Sequence, residues 1–152
     1  MVENCRKEIG ASCFSLSRDD HNLWNRHGGS GDGLCIEIDV PDRLLSNSFF
    51  YVSYVTEKIF HINSIIESAL FSEKAFKGYK ILLTKTKYWE VEKEIRIITK
   101  LQNISMDING SITEIIFGNR VLPSLRREII TKIDEYLPGH SIIFTESRAR
   151  NQ

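Results

Sequence analysis

Leu34-Cys35-Ile36-Glu37-Ile38-Asp39 alternates strictly, with Leu34, Ile36 and Ile38 on one side and Cys35, Glu37 and Asp39 on the other. A period of two marks a strand with one face turned inward. Just before it, Gly28-Gly29-Ser30-Gly31-Asp32-Gly33 reads as a flexible turn. Further back, Asp19 and Asp20 can cap a short helix through Trp24. Residues 10–17 read as a strand, with Ala11, Cys13, Ser15 and Ser17 on one face and Phe14 and Leu16 on the other.

Downstream, Pro41 opens a short turn or helix, and residues 49–55 are aromatic and β-branched enough for a strand. Residues 56–76 read as a helix: Ile59, Ile62, Ile66, Leu70 and Phe76 recur near the helical period, and Gly78 stops it. Residues 81–85 fit either state. Residues 94–99 and 112–117 read as strands, the second ended by Gly118. Ser124 can cap a second helix that carries Leu125, Ile129, Ile133 and Tyr136 on one stripe and stops at Pro138-Gly139. Residues 141–145 make a last strand, and the tail from Arg148 is polar and expected to fray.

Strands and helices mix without a βαβ repeat. The expectation is an α+β fold: a single domain over residues 1–152, with a mixed or antiparallel sheet and two main amphipathic helices. Phe14, Leu16, Ile36, Ile38, Ile95, Ile97, Ile115 and Phe117 are the expected inward residues of the strands. The helix stripe over 62–70, Ile129 and Ile133 are expected to pack on them.

Composition narrows the function. Of 152 residues, 41% are hydrophobic and 26% charged, and Lys plus Arg (20) balance Asp plus Glu (20). Zero net charge argues against strong non-specific nucleic-acid binding. No apolar run nears the ~20 residues that span a bilayer, so no membrane partner is expected. The first ten residues lack the apolar core of a secretory signal, which makes cytoplasmic residence the expectation. Cys5, Cys13 and Cys35 are odd in number and widely spaced, which is no disulfide framework. A zinc site from Cys5, Cys13, His21 and His27 would need a closer cysteine pair, so no metal is expected. The sequence leaves the oligomeric state and any macromolecular target open.

Four segments carry more specific information. They are Cys13-Phe14-Ser15-Leu16-Ser17; Leu23-Trp24 running on to Gly33 and the 34–39 strand; Lys85 with Trp89-Glu90-Val91-Glu92-Lys93-Glu94-Ile95-Arg96; and Ile115-Ile116-Phe117-Gly118. In this order and spacing, over about residues 10–146, they resemble the microbial family called domain of unknown function 2971. The resemblance implies a cytoplasmic microbial protein, often encoded near mobile or defence genes. Family members carry a preceding segment with a Tyr-Arg-like strand and an Asn-Asp-Pro turn, and this chain begins after it. Where members often have Tyr beyond the Trp, this chain has His27 and a glycine run.

A more distant resemblance is to ADP-ribosyltransferases. Ser15-Leu16-Ser17 looks like their Ser-x-Ser element, and Glu92-Lys93-Glu94 at the start of a strand looks like their Glu-x-Glu element. The resemblance implies NAD as the cofactor. Glu94 would be the key catalytic carboxylate, Glu92 its partner on the acceptor side and Ser15 a supporting hydroxyl, with Ser15, Ser17 and Trp24 contacting the cofactor. The chemistry suits these residue types. Cleavage of the nicotinamide–ribose bond passes through an oxocarbenium-like state, which a carboxylate facing it stabilises. A second carboxylate two residues earlier on an extended chain points the same way and can orient or deprotonate the nucleophile.

Plainer readings stand beside these. Ser15 and Ser17 can be the solvated face of an edge strand, and Glu92, Glu94 and Arg96 a surface charge ladder of little energetic weight. Trp24 and Trp89 are residue types more often used as core anchors than as stacking platforms. Arg96 is expected to pair with Glu94, Glu37 or Asp39. The glycine run is no phosphate loop, because no Lys-Ser/Thr follows and a strand comes next. His21 and His27 are acid–base candidates by type alone. The alternative function is a non-catalytic binding or defence-associated domain on the same scaffold. A metal-assisted hydrolase is a third reading and lacks clustered ligands.

Overall fold

The computed structural model describes residues 10–40, 42, 49–57, 82–99 and 111–149. The helix expected over 56–76 lies outside them beyond its first two residues, as do Pro41, Cys5 and the end of the polar tail. The described residues form an α+β fold. In chain order the elements are β1 (Gly10–Ser15), α1 (His21–Arg26), β2 (Leu34–Ile38), β3 (Phe49–Tyr51), β4 (Ser53–Val55), β5 (Thr84–Thr86), β6 (Glu94–Thr99), β7 (Ile112–Phe117), α2 (Pro123–Tyr136) and β8 (Ile143–Glu146). Short 3-10 turns cover Gly29–Gly31 and Lys87–Glu92. The chain divides into two compact units, each built from two stretches of sequence. The first is Met1–Leu16 with Ser46–Ile104, and the second is Ser17–Leu45 with Ser105–Gln152.

In the first unit β6 lies between β1 and β3, antiparallel to both. Phe14 faces Ile95 and Phe49 faces Ile97 across the ladder, so the apolar side chains share one side of the sheet. Phe14 and Phe49 meet there with ring centroids 6.3 Å apart. The other side carries Cys13 opposite Arg96 and Ser15 opposite Glu94. β1 ends two residues earlier than expected. Leu16 still bonds its N–H to the Lys93 carbonyl, but its side chain is 62% exposed instead of buried.

The strand expected over 49–55 is broken in two at Val52. Before the break, β3 pairs with β6; after it, β4 runs parallel to β5. The Val52 N–H still reaches the Glu94 carbonyl, whereas that of Ser53 reaches Leu83. The buried Val52 is thus the pivot at which the chain changes partners. Of the ambiguous segment 81–85, Thr84 and Lys85 fall in β5.

In the second unit β7 is central, antiparallel to β2 and parallel to β8. Ile115, Phe117 and Val121 form its core, with Ile129, Ile130 and Ile133 of α2 and Phe144 of β8 packed on them. Leu34 and Ile36 lie opposite Phe117 and Ile115 but are 40% and 49% exposed, against expectation. α2 packs through Ile129, Ile130 and Ile133 on the core around Ile115 and Phe117, and Leu34 and Ile36 are not among the residues packed on that core. α2 starts one residue before Ser124, with Leu122 in the cap position, no side-chain cap bond and Pro123 in the first turn, where a missing N–H costs nothing. α1 follows the expected capping logic, because Asp20 Oδ1 accepts the Leu23 N–H at 3.0 Å.

The glycine run is tied down. The Gly118 N–H bonds the Gly33 carbonyl at 2.9 Å, and the Arg120 N–H bonds that of Gly31 at 3.0 Å. Gly29, Ser30 and Gly31 all have positive φ (58°, 55° and 94°), a path that glycines permit. Among the described residues no helix is long and apolar enough to cross a membrane.

Candidate functional site

The polar side of the β1–β6 pair is where Ser15, Glu92 and Glu94 of the predicted site come together. Glu94 opens β6, and its backbone is fixed at both ends: its N–H donates to Tyr54 Oη at 2.8 Å, and its carbonyl accepts from Val52. Two residues on, Arg96 shares its face of the strand. The guanidinium grips the carboxylate in a fork, Nε to Oε1 at 2.7 Å and Nη2 to Oε2 at 3.1 Å. Arg96 also donates to the Leu82 carbonyl. Of the partners expected for Arg96, Glu94 is therefore the one found.

Glu92 reaches the same place by a different route from the extended chain expected. It closes the 3-10 turn, and Lys93 then takes a left-handed conformation (φ 42°, ψ 52°) before β6 begins. That reversal, with Lys85 of β5 alongside, brings the two acids together. Lys85 Nζ lies 2.5 Å from Glu92 Oε2 and 2.7 Å from Glu94 Oε2. The ammonium also sits 5.3 Å from the Trp89 ring centroid, a cation–π contact. Trp89 is half-buried and meets the Tyr88 ring edge-on. Ser15 donates its hydroxyl to the Glu92 carbonyl at 2.6 Å, joining β1 to the end of the turn.

Glu92 and Glu94 are both buried, so they are not a surface ladder. Burial by itself would push the Glu94 carboxyl up. Hydrogen bonds from Arg96, the Cys13 thiol and Lys85, with the charge of Arg96, outweigh it and hold the group at about 2. Burial likewise opposes the charge on Lys85, but its bonds to Glu92 and Glu94 raise it overall. The Cys13 thiol is pushed up by burial and by Glu94, which makes it a poor nucleophile. Glu94 is therefore a permanently charged carboxylate near neutral pH. It can stabilise a cation but cannot trade protons.

Ser17 and Trp24 belong to the second unit. The Trp24 indole is 6% exposed, its Nε1–H donates to the Arg18 carbonyl at 2.8 Å, and Gly28 is packed against its ring. It is a core anchor with no open face for a nicotinamide or adenine to stack on. His21 is held by Asn25 at 2.8 Å, and His27 caps α1.

A second polar cluster escaped sequence reasoning. Glu37 of β2 and Glu114 of β7 stand directly opposite each other, a repulsive arrangement. Arg18 bridges them, gripping Glu114 with two 2.8 Å bonds and reaching Glu37 at 3.1 Å. Thr145 of β8 also donates to Glu114. The Glu114 carboxyl is lowered first by the Arg18 bonds and then by Thr145. These partners are up to 96 residues apart, and only the strand pairing brings them together. Among the described residues no group of three or more His, Cys, Asp or Glu side chains is placed to hold a metal ion.

No family model, curated protein or solved structure matches this chain.

Proposed function

We propose that the first unit carries an ADP-ribosyltransferase-like site that uses NAD, in a cytoplasmic protein of the 2971 type. One observation carries the reading: Ser15 lies directly opposite Glu94 on paired strands, while Glu92 and Glu94 share one ammonium. In this reading Glu94 accepts a ribose hydroxyl and faces the positive charge that grows as nicotinamide leaves. Its ionised state near neutral pH suits that electrostatic task. Glu92 serves the incoming nucleophile, and Ser15 fixes the turn that presents Glu92.

Labelled NAD, incubated with the full chain alone and with cell extract, tests the reading. Turnover or label transfer is expected from wild type, and none from Glu94→Gln. Glu92→Gln is expected to depress transfer to an acceptor more than hydrolysis. Because Glu94 also holds Arg96 and Lys85, folding of each variant is checked by circular dichroism, with Ser15→Ala as a gentler companion expected to lower turnover. A wild type that neither binds nor turns over NAD defeats the enzyme reading. That result would leave a non-catalytic binding or defence-associated domain. One observation favours that second reading: Lys85 and Arg96 already neutralise Glu92 and Glu94 within the cluster.

A further inference from the structure

Lys85 is part of the Lys85…Trp89…Glu92…Glu94…Arg96 motif, yet the reaction outlined above gives it no task. Its geometry does. It comes from β5, outside both the turn that ends in Glu92 and the strand that begins with Glu94. Its ammonium lies between their carboxylates, at 2.5 and 2.7 Å. The ammonium also lies over the Trp89 ring, 5.3 Å from its centroid.

We propose that Lys85 is the positioning residue of this site, a fixed cation that holds Glu92 and Glu94 side by side against their mutual repulsion. The catalytic meaning of this role rests on the NAD reading, but the role itself does not.

The argument is electrostatic. Two carboxylates on one nitrogen fall within the ~4–6 Å at which like charges oppose each other's ionisation. Without a cation between them, such a pair tends to share a proton and to titrate as one coupled system. Arg96 cannot replace Lys85 in this, because its fork is spent on Glu94. A shared proton would damage both proposed tasks. Glu94 would lose the charge that faces the ribose cation, and Glu92 the capacity to take a proton from the nucleophile. Lys85 keeps the two tasks separate.

The test is a carboxyl titration of the full chain, followed by NMR of Glu side chains labelled with carbon-13, in wild type, Lys85→Met, Lys85→Gln and Lys85→Arg. It needs no NAD. In wild type Glu94 is expected to stay charged down to about 2. In Lys85→Met the Glu94 carboxylate is expected to take up its proton at least about one pH unit higher than in wild type. Lys85→Gln, which keeps donors but no charge, is expected to follow Met and stands in for it if Met does not fold. Lys85→Arg is expected to restore the wild-type curve. If the enzyme turns over NAD, the acid limb of its pH–rate profile should move up with the titration. Met and Gln variants that titrate like wild type overturn the role of Lys85, whatever the activity. A shifted titration in a protein inert toward NAD supports Lys85 and overturns the NAD reading alone.

Discussion

Arg96 and Glu94 are neighbours on one face of a strand, and both are largely withdrawn from water, with side chains 15% and 6% exposed. Removing one member of such a pair strands the other's charge. Arg96→Ala is expected to cost about 3–5 kcal/mol in a urea titration, whereas a surface pair would cost under ~1 kcal/mol. A loss at the surface level would mean that Glu94 is held mainly by Lys85 and Cys13. At this scale the sequence was informative in an uneven way. Ser15, Glu92, Glu94 and Arg96 could be picked out by residue type and spacing, and they do gather in one place. Glu92 does not lie on an extended path to Glu94, because the left-handed Lys93 interrupts it. Arg18, Glu114 and Thr145 left no local signal, since their meeting depends on which strands pair.

Among the elements, the contact between the glycine turn and the end of β7 is the least forgiving. A Cβ added to Gly118 would stand 2.1 Å from the Gly31 carbonyl oxygen, and Gly31 itself has φ of +94°. Backbone must move to admit it. Gly118→Ala is expected to destabilise the protein by about 1–3 kcal/mol and to lower its melting temperature. An unchanged melting temperature would show that the turn is not docked on β7. The turn was legible as a turn from its glycines, but its docking was not, because backbone-to-backbone bonds have no residue signature. Strands β2, β6 and β7 were legible from alternation and β-branched content. The break at Val52 was hidden, because the aromatic and β-branched residues on both sides of it favour a strand and only a change of partner separates β3 from β4. Leu34 and Ile36 show the same limit. Alternation says which residues share a face, and only tertiary packing says which of them are covered.

For the molecule as a whole, buried carboxylates set the response to acid. Glu94 is held at about 2 against an ordinary value of 4.5, and Glu114 is lowered in the same direction. The unfolded chain therefore takes up protons that the folded chain refuses. The contribution of Glu94 to stability is complete above about 4.5 and is lost as pH falls toward about 2, and Glu114 acts in the same direction. Urea midpoints measured at stepwise lower pH should decline through that window, and less steeply in Glu94→Gln. An identical decline in both proteins would assign acid sensitivity to other groups.

Each unit is assembled from two distant stretches of chain, and this has a consequence for how the protein is born. Ser15 emerges from the ribosome 77 residues ahead of the Glu92 carbonyl it will bond. At cellular rates of roughly 5–20 residues per second, β1 waits on the order of 4–15 seconds for β6, and β2 waits similarly for β7. During that interval β1 lacks its partner β6 and β2 lacks its partner β7, and long-range pairing of this kind is slow even once all the strands are present. Unpaired strand edges of this kind are prone to aggregate, the circumstance in which chaperones act. Synonymous changes that slow translation between the two halves of either sheet should lower the soluble yield without altering a single residue.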